Sequence, residues 1–415
     1  MHRTALAAAL LFAATAVAAP PKPAEVAKRL VQSAGVGPGD VVRVAGHPKD
    51  MALLTAVAVE VEKAGGTAFY DLTSEESLRR VCAEVPQERD ADNAAAALKL
   101  LSAETVDISV SGAITPGVCK GTPPARLAAR GNAFQGVADA FNKAGIRAIN
   151  LGNGMEPSDW RAKRFGVTPA QLNALYWAGI EVDPAKLKAV ADPVMKTLGS
   201  GKQLTITAPN GTHLTLSITG RKVLFSDGKV TADMAKKGQT ITAWLPAGDV
   251  YLTPVPESAE GTVVTDRAWY QDQPIDVLFL GITGGKVVEM TGKGPGYDKL
   301  VQAYDAAKGA KDAVAVVNIG VNPALRGPPG SKVNATPVSG VVSVFTGDNT
   351  WAGGTDSSSW GFIGFVPGAT VTVDGTTLVD KGQLRVPGSR ASRVSAPGRA
   401  RRLAVRVRAP APGRA

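Results

Sequence analysis

The chain has 415 residues, 44% hydrophobic and 20% charged, with a formal net charge of +10. This is the composition of an ordinary globular protein with room for two domains, and it excludes a chain disordered throughout. Nine arginines and no acidic residue fall in Arg385–Ala415, which leaves the rest at +1 and gives the folded body no charge bias toward nucleic acid.

Met1–Pro20 has a basic start at Arg3, an apolar Ala/Leu/Phe run and small residues at Ala16-Val17-Ala18. It reads as a secretory signal peptide over residues 1–18, too short for a stable span of a bilayer ~30 Å thick, so a secreted or periplasmic protein is expected. Only Cys82 and Cys119 occur. An oxidising compartment permits one disulfide between them, and two free buried thiols fit equally.

Pro21–Val36 carries helical periodicity, Val41–Ala45 is a short strand, and Met51–Ala64 is a helix stopped by Gly65-Gly66. Strand Thr67–Leu72, helix Asp92–Leu101 and strand Val106–Ser111 continue the alternation, which predicts a doubly wound α/β domain over residues 21–153. No G-x-G-x-x-G follows the first strand, so a dinucleotide is not expected. Residues 154–200 read as a helical connection whose Trp160, Arg161, Lys163 and Arg164 suit a solvated helix face.

From Lys202 the pattern changes to period-two alternation. Leu204–Ile206, Leu214–Ile218 and Lys222–Phe225 are separated by Asn210-Gly211 and Asp227-Gly228, both hairpin signals. A β-rich α+β domain is expected over residues 201–384, with a helix at Lys299–Ala310 and His213 on an exposed strand. Arg385–Ala415, rich in Ala, Pro, Gly and Ser, cannot bury enough apolar surface to fold and is expected to be a disordered tail. Clustered arginine suits contact with an anionic surface, and an extension without function is the competing reading.

The stretch Gly340–Gly375 alternates β-branched runs with glycine corners and reads as strand, loop, strand, hairpin. Its frame resembles the aminopeptidase T family of thermophile-type leucyl aminopeptidases, whose motif here is G-T-x-H followed by H-W-D and a V-D-G turn. Gly340–Ser343 falls on the first element and Gly361-Phe362-Ile363 on the second. Upstream, Leu245–Val250 with Pro256–Thr262 resembles L-P-x-G-E-V…E-G-T, and Val316–Pro323 resembles E-x-x-x-G-x-N-P.

The resemblance implies a homodimeric exopeptidase with two divalent ions, Zn, Co or Mn, held by five side chains. At those positions this chain has Asp249, Val316, Ser343, Gly361 and Ile363. Only Asp249 keeps a carboxylate; a glycine, an isoleucine and a valine offer no side-chain lone pair, and a neutral serine is a poor ligand. Nearby pocket candidates are Glu257, Glu260, Asp348, Trp351 and Asp356, and an all-oxygen set of this kind would suit Ca²⁺, Mg²⁺ or Mn²⁺ better than Zn²⁺. Ser357–Ser359 has no histidine at hand to serve as base. The expected function is therefore a secreted aminopeptidase T-like protein with its metal site largely lost and no cofactor, which binds a peptide, small ligand or partner more readily than it hydrolyses one. The alternative is an active aminopeptidase using non-standard ligands.

Overall fold

The computed structural model describes residues 21–110, 115–236, 241–266, 268–270 and 273–386. The expected signal peptide and nearly all of the arginine tail lie outside them. The first half runs α1 (Pro23–Ser33), β1 (Val41–Gly46), α2 (Met51–Lys63), β2 (Thr67–Leu72), α3 (Glu75–Glu84), α4 (Asp90–Leu101), β3 (Val106–Ser109), α5 (Pro124–Lys143) and β4 (Arg147–Leu151). Three helices, α6 (Asp159–Phe165), α7 (Pro169–Ile180) and α8 (Pro184–Ser200), then lead to the strand-rich half.

Local chemistry explains the helix ends. Thr168 accepts from the Gln171 amide while Gln171 reaches back to Thr168, a capping box with Pro169 in the first turn. Gly166 closes α6 in the left-handed region.

The second half contains β5 (Gln203–Thr207), β6 (His213–Ser217), β7 (Leu224–Ser226), α9 (Ala232–Ala235), β8 (Ile241–Leu245), β9 (Asp249–Leu252) and β10 (Glu260–Thr265). It continues with β11 (Ala268–Tyr270), β12 (Gln273–Ile275), β13 (Val277–Thr283), β14 (Lys286–Lys293) and α10 (Tyr297–Ala306). The last strands are β15 (Val314–Gly320), β16 (Val342–Gly347), β17 (Gly361–Val366), β18 (Thr370–Val373), β19 (Thr376–Asp380) and β20 (Gln383–Leu384).

These strands form a parallel sheet in the order β2-β1-β3-β4-β8 and two antiparallel sheets, β14-β13-β10-β6-β5-β18-β19-β20 and β17-β16-β15-β9-β7. A small hairpin pairs β11 with β12. The doubly wound sheet and the β-rich second half are as the sequence predicts, with one correction. The parallel sheet is completed by β8, well past the expected boundary at residue 200, because β8 runs parallel beside β4 from Ile241 to Leu245.

Asn210-Gly211 does turn β5 into β6. Asp227-Gly228 makes no hairpin, since β7 pairs with β9 and the chain between them leaves to form β8. His213 is exposed on its strand. The basic face of α6 is not fully solvated: the guanidinium of Arg164 lies 4.8 Å from the Trp160 ring and 3.9 Å from the Trp269 ring, and Arg161 donates to the Glu156 carbonyl at 2.6 Å. Burial accordingly lowers the Arg161 pKa from its usual value. Cys82 and Cys119 form a disulfide that ties α3 to the segment ahead of α5, with Cα atoms 5.7 Å apart.

Candidate functional site

The third sheet has two faces of opposite character. Val250, Leu252, Val317, Ile319, Val342, Val344, Phe362 and Val366 point into the main core, where the Gly364 position lies against Val263 of β10. The intervening residues form the outer face.

Register places the five positions that the resemblance picked out, Asp249, Val316, Ser343, Gly361 and Ile363, on that outer face. Asp249 pairs with Gly320 and Ser226; Tyr251, Asn318, Ser343 and Phe365 form the next row; Val316, Phe345 and Ile363 form the third; Gly361 follows beside Gly347. Residues two apart on a strand share a face, so Asp249, Val316, Ser343, Ile363 and Gly361 all belong to one surface. A register shift between Val314 and Val316 is a bulge that brings Ala315 to this side as well.

That surface is apolar. Ala315 and Val316, both fully buried, pack with Ala352 and with half-buried Leu224, Tyr251 and Phe345. Trp351, 54% exposed, lies over them, its ring 5.5 Å from that of Tyr251 and 5.8 Å from that of Phe345. Trp360 belongs to the core instead, stacked on Phe362 and edge-on to Tyr304.

The polar atoms present do not fit a pair of divalent ions. Asp249 is half-buried as a residue, but desolvation around its carboxyl pushes the pKa up to about 7 against a hydrogen bond from Ser226. Burial likewise pushes Tyr251 up to about 12. Ser343 is fully buried, receives the Asn318 amide at 3.5 Å, and is uncharged. The Asn318 Oδ1 is buried with no hydrogen-bond donor among the described residues. No three His, Cys, Asp or Glu side chains converge as metal ligands among the described residues.

The other candidates have separate places. Asp348 accepts from Thr350 Oγ1 at 2.9 Å, and Asp356 accepts from Asn349 Nδ2 at 2.7 Å while its own amide donates to Asn349 Oδ1 at 2.8 Å. Both brace the loop that carries Trp351. Glu260 begins β10 in the second sheet and accepts from the Gly284 amide at 2.7 Å. Glu257 and Asp356 line a cavity of about 510 Å³ on the far flank of the Trp351 loop. Tyr251, Asn318 and Phe345 were not singled out from the sequence, although each lies two residues beyond a ligand position and the strand period would have found them.

Other residues of the same motif segments serve as scaffold. A Cβ at Gly248, whose φ is +117°, would lie 2.8 Å from Asn322 Cβ and from Leu187 Cδ1. Asn322, fully buried, donates to the carbonyls of Ala247 at 2.7 Å and Gly179 at 3.0 Å. A Cβ at Gly320 would meet the Val338 carbonyl oxygen at 2.0 Å. These contacts lock the first motif onto the second whatever side chains the outer face carries.

Residues 185–316 match the model of the thermophilic metalloprotease (M29) family. No curated protein sequence matches the chain. Among solved structures, wild-type AmpT from Thermus thermophilus superposes with a TM-score of 0.67 at 16% identity, over 88% of this chain and 99% of that one. The 2,5-dihydroxypyridine dioxygenase from Pseudomonas putida KT2440 superposes with a TM-score of 0.53 at 12% identity, over 88% and 97%. The sequence match to the thermophilic metalloprotease (M29) model is thus confined to residues 185–316, and the likeness to AmpT over most of the chain is one of fold.

Proposed function

We propose that this protein is a non-hydrolytic member of the M29 family, in which an apolar surface capped by Trp351 replaces the two-metal centre and binds a peptide side chain or a partner. One observation carries the reading: the five ligand positions share one face, and that face is packed with Val316, Ala315, Ala352, Tyr251 and Phe345. A metal pair needs several lone-pair donors around each ion, and Asp249 supplies the single carboxylate there. The fold leaves room for such a change, since a similar frame is named a dioxygenase in Pseudomonas putida. Secretion and homodimer formation complete the reading, the first from residues 1–18 and the second from the family resemblance.

The test is elemental analysis of the purified protein after soaking in Zn²⁺, Mn²⁺ or Co²⁺, with leucine release from a chromogenic amide measured on the same sample. No retained metal and no turnover is the expected result. About two ions per chain with chelator-sensitive turnover would overturn it and make metal-dependent aminopeptidase the function.

A further inference from the structure

The cavity on the far flank of the Trp351 loop is chemically unlike the apolar face. It is walled by the turn after β9, the β13–β14 turn, the segment leading into β15, and Asn349 with Gly353–Asp356. Five charged side chains line it: Arg221 and Lys286, and Glu257, Asp312 and Asp356. Among the described residues none of the five forms an ion pair.

Their hydrogen bonds leave capacity for a ligand. Glu257 and Lys286 make no side-chain hydrogen bond among the described residues. Arg221 gives Nε to the Thr253 carbonyl at 2.9 Å and Nη2 to the Thr253 hydroxyl, which leaves Nη1 uncommitted. Asp356 uses Oδ2 on Asn349, and Asp312 uses Oδ1 on the Tyr304 hydroxyl, so each keeps one oxygen. Both signs of charge therefore face one recess without satisfying each other.

A ligand matched to that recess carries both charges itself and has several donors and acceptors between them. Its volume of about 510 Å³ is within the range of small-ligand sites and holds two or three residues of peptide. We propose that this cavity binds a short zwitterionic peptide, its ammonium held among Glu257, Asp312 and Asp356 and its carboxylate by Arg221 and Lys286. Ammonium and carboxylate are each met by a charged hydrogen-bonding partner, the stronger class of such bonds. The site does not depend on the loss of the metal centre, since none of its charged residues lies on the outer face of the third sheet.

Calorimetric titration of the full-length protein with the dipeptide Leu-Gly, N-acetyl-Leu-Gly, Leu-Gly-amide and doubly capped N-acetyl-leucinamide tests this. Leu-Gly should bind most tightly, and capping either end should weaken it by about tenfold. Lys286→Gln should weaken Leu-Gly while leaving Leu-Gly-amide unchanged, and Glu257→Gln should weaken Leu-Gly while leaving N-acetyl-Leu-Gly unchanged. Both side chains are exposed, so neither change threatens the fold. No binding of Leu-Gly up to about 10 mM overturns the proposal. So does equal binding of the doubly capped ligand, which would place the peptide on the apolar face.

Discussion

Replacing Val316 by glutamate places a carboxylate where the resembling family motif has one, and it separates an apolar face from a latent metal site. Val316 is fully buried among Ala315, Ala352, Tyr251 and Phe345. The longer side chain overpacks this cluster at a cost of about 2 kcal/mol. An unpaired carboxyl there would have its pKa raised by about 3 units, which costs about 4 kcal/mol at pH 8. The total of about 6 kcal/mol corresponds, at about 2.1 cal/mol/K per residue, to a fall of about 8 °C in Tm.

The pH dependence has a definite sign. A carboxyl whose pKa is raised by folding carries no penalty below its unfolded value of about 4.3, and the full penalty above its folded value. At pH 5 the electrostatic part therefore shrinks to about 1 kcal/mol. Val316→Gln overpacks similarly but does not titrate, so the difference between the two variants should open between pH 5 and pH 8 in thermal unfolding followed by near-ultraviolet circular dichroism. Equal stability of the two variants at pH 8 would refute the reasoning. A rise in Tm on adding Zn²⁺, seen in the glutamate variant alone, would do the same.

Glu104 has a pKa raised to about 7, first by burial, with Arg43 opposing and Asp107 and Asp71 reinforcing. Its ionised form is disfavoured in the fold, so the penalty is absent below about pH 4.5 and complete above about pH 7; Glu104→Gln should then be more stable than the parent by about 1–2 kcal/mol at pH 8 after allowance for partial exposure, and equal at pH 4, in denaturant titrations. Cys82→Ser together with Cys119→Ser removes a cross-link across 37 positions and should cost about 4 kcal/mol, read as an earlier denaturant midpoint. Deleting Arg385–Ala415 removes nine positive charges and should abolish salt-sensitive retention on heparin; unchanged retention would remove the tail as an anionic-surface contact.

How legible each part was depended on what kind of signal it left. Strands β1, β2, β5 and β6 announce themselves by short apolar or alternating runs beside glycine turns, whereas β4 and β8 are short runs whose meaning lies in pairing with each other across 94 positions. Helix α5 passes unnoticed because it is rich in Ala and Gly with little apolar periodicity, whereas α3 is amphipathic and carries a Ser74 capping box that could have marked it. The five positions picked out by motif spacing share one face, since strand register converts spacing directly into a shared face. The filling of that face was not legible. The Ala315 bulge and the placement of Trp351 over Tyr251 and Phe345 arise from contacts between four separate segments, which no local pattern encodes.

The return of the chain to finish the first sheet also sets an order of events during synthesis. When β4 leaves the ribosome its outer edge has no neighbour, and β8 follows only after the helices, β5, β6 and β7 have been made. At about 5–20 residues per second that interval is roughly 5–20 s, long on the scale of strand pairing. A nascent chain halted near residue 200 would present an open parallel edge to its neighbours. Fragments cut at the apparent junction between the two halves should therefore aggregate, and the protein is best handled, expressed and engineered as one piece.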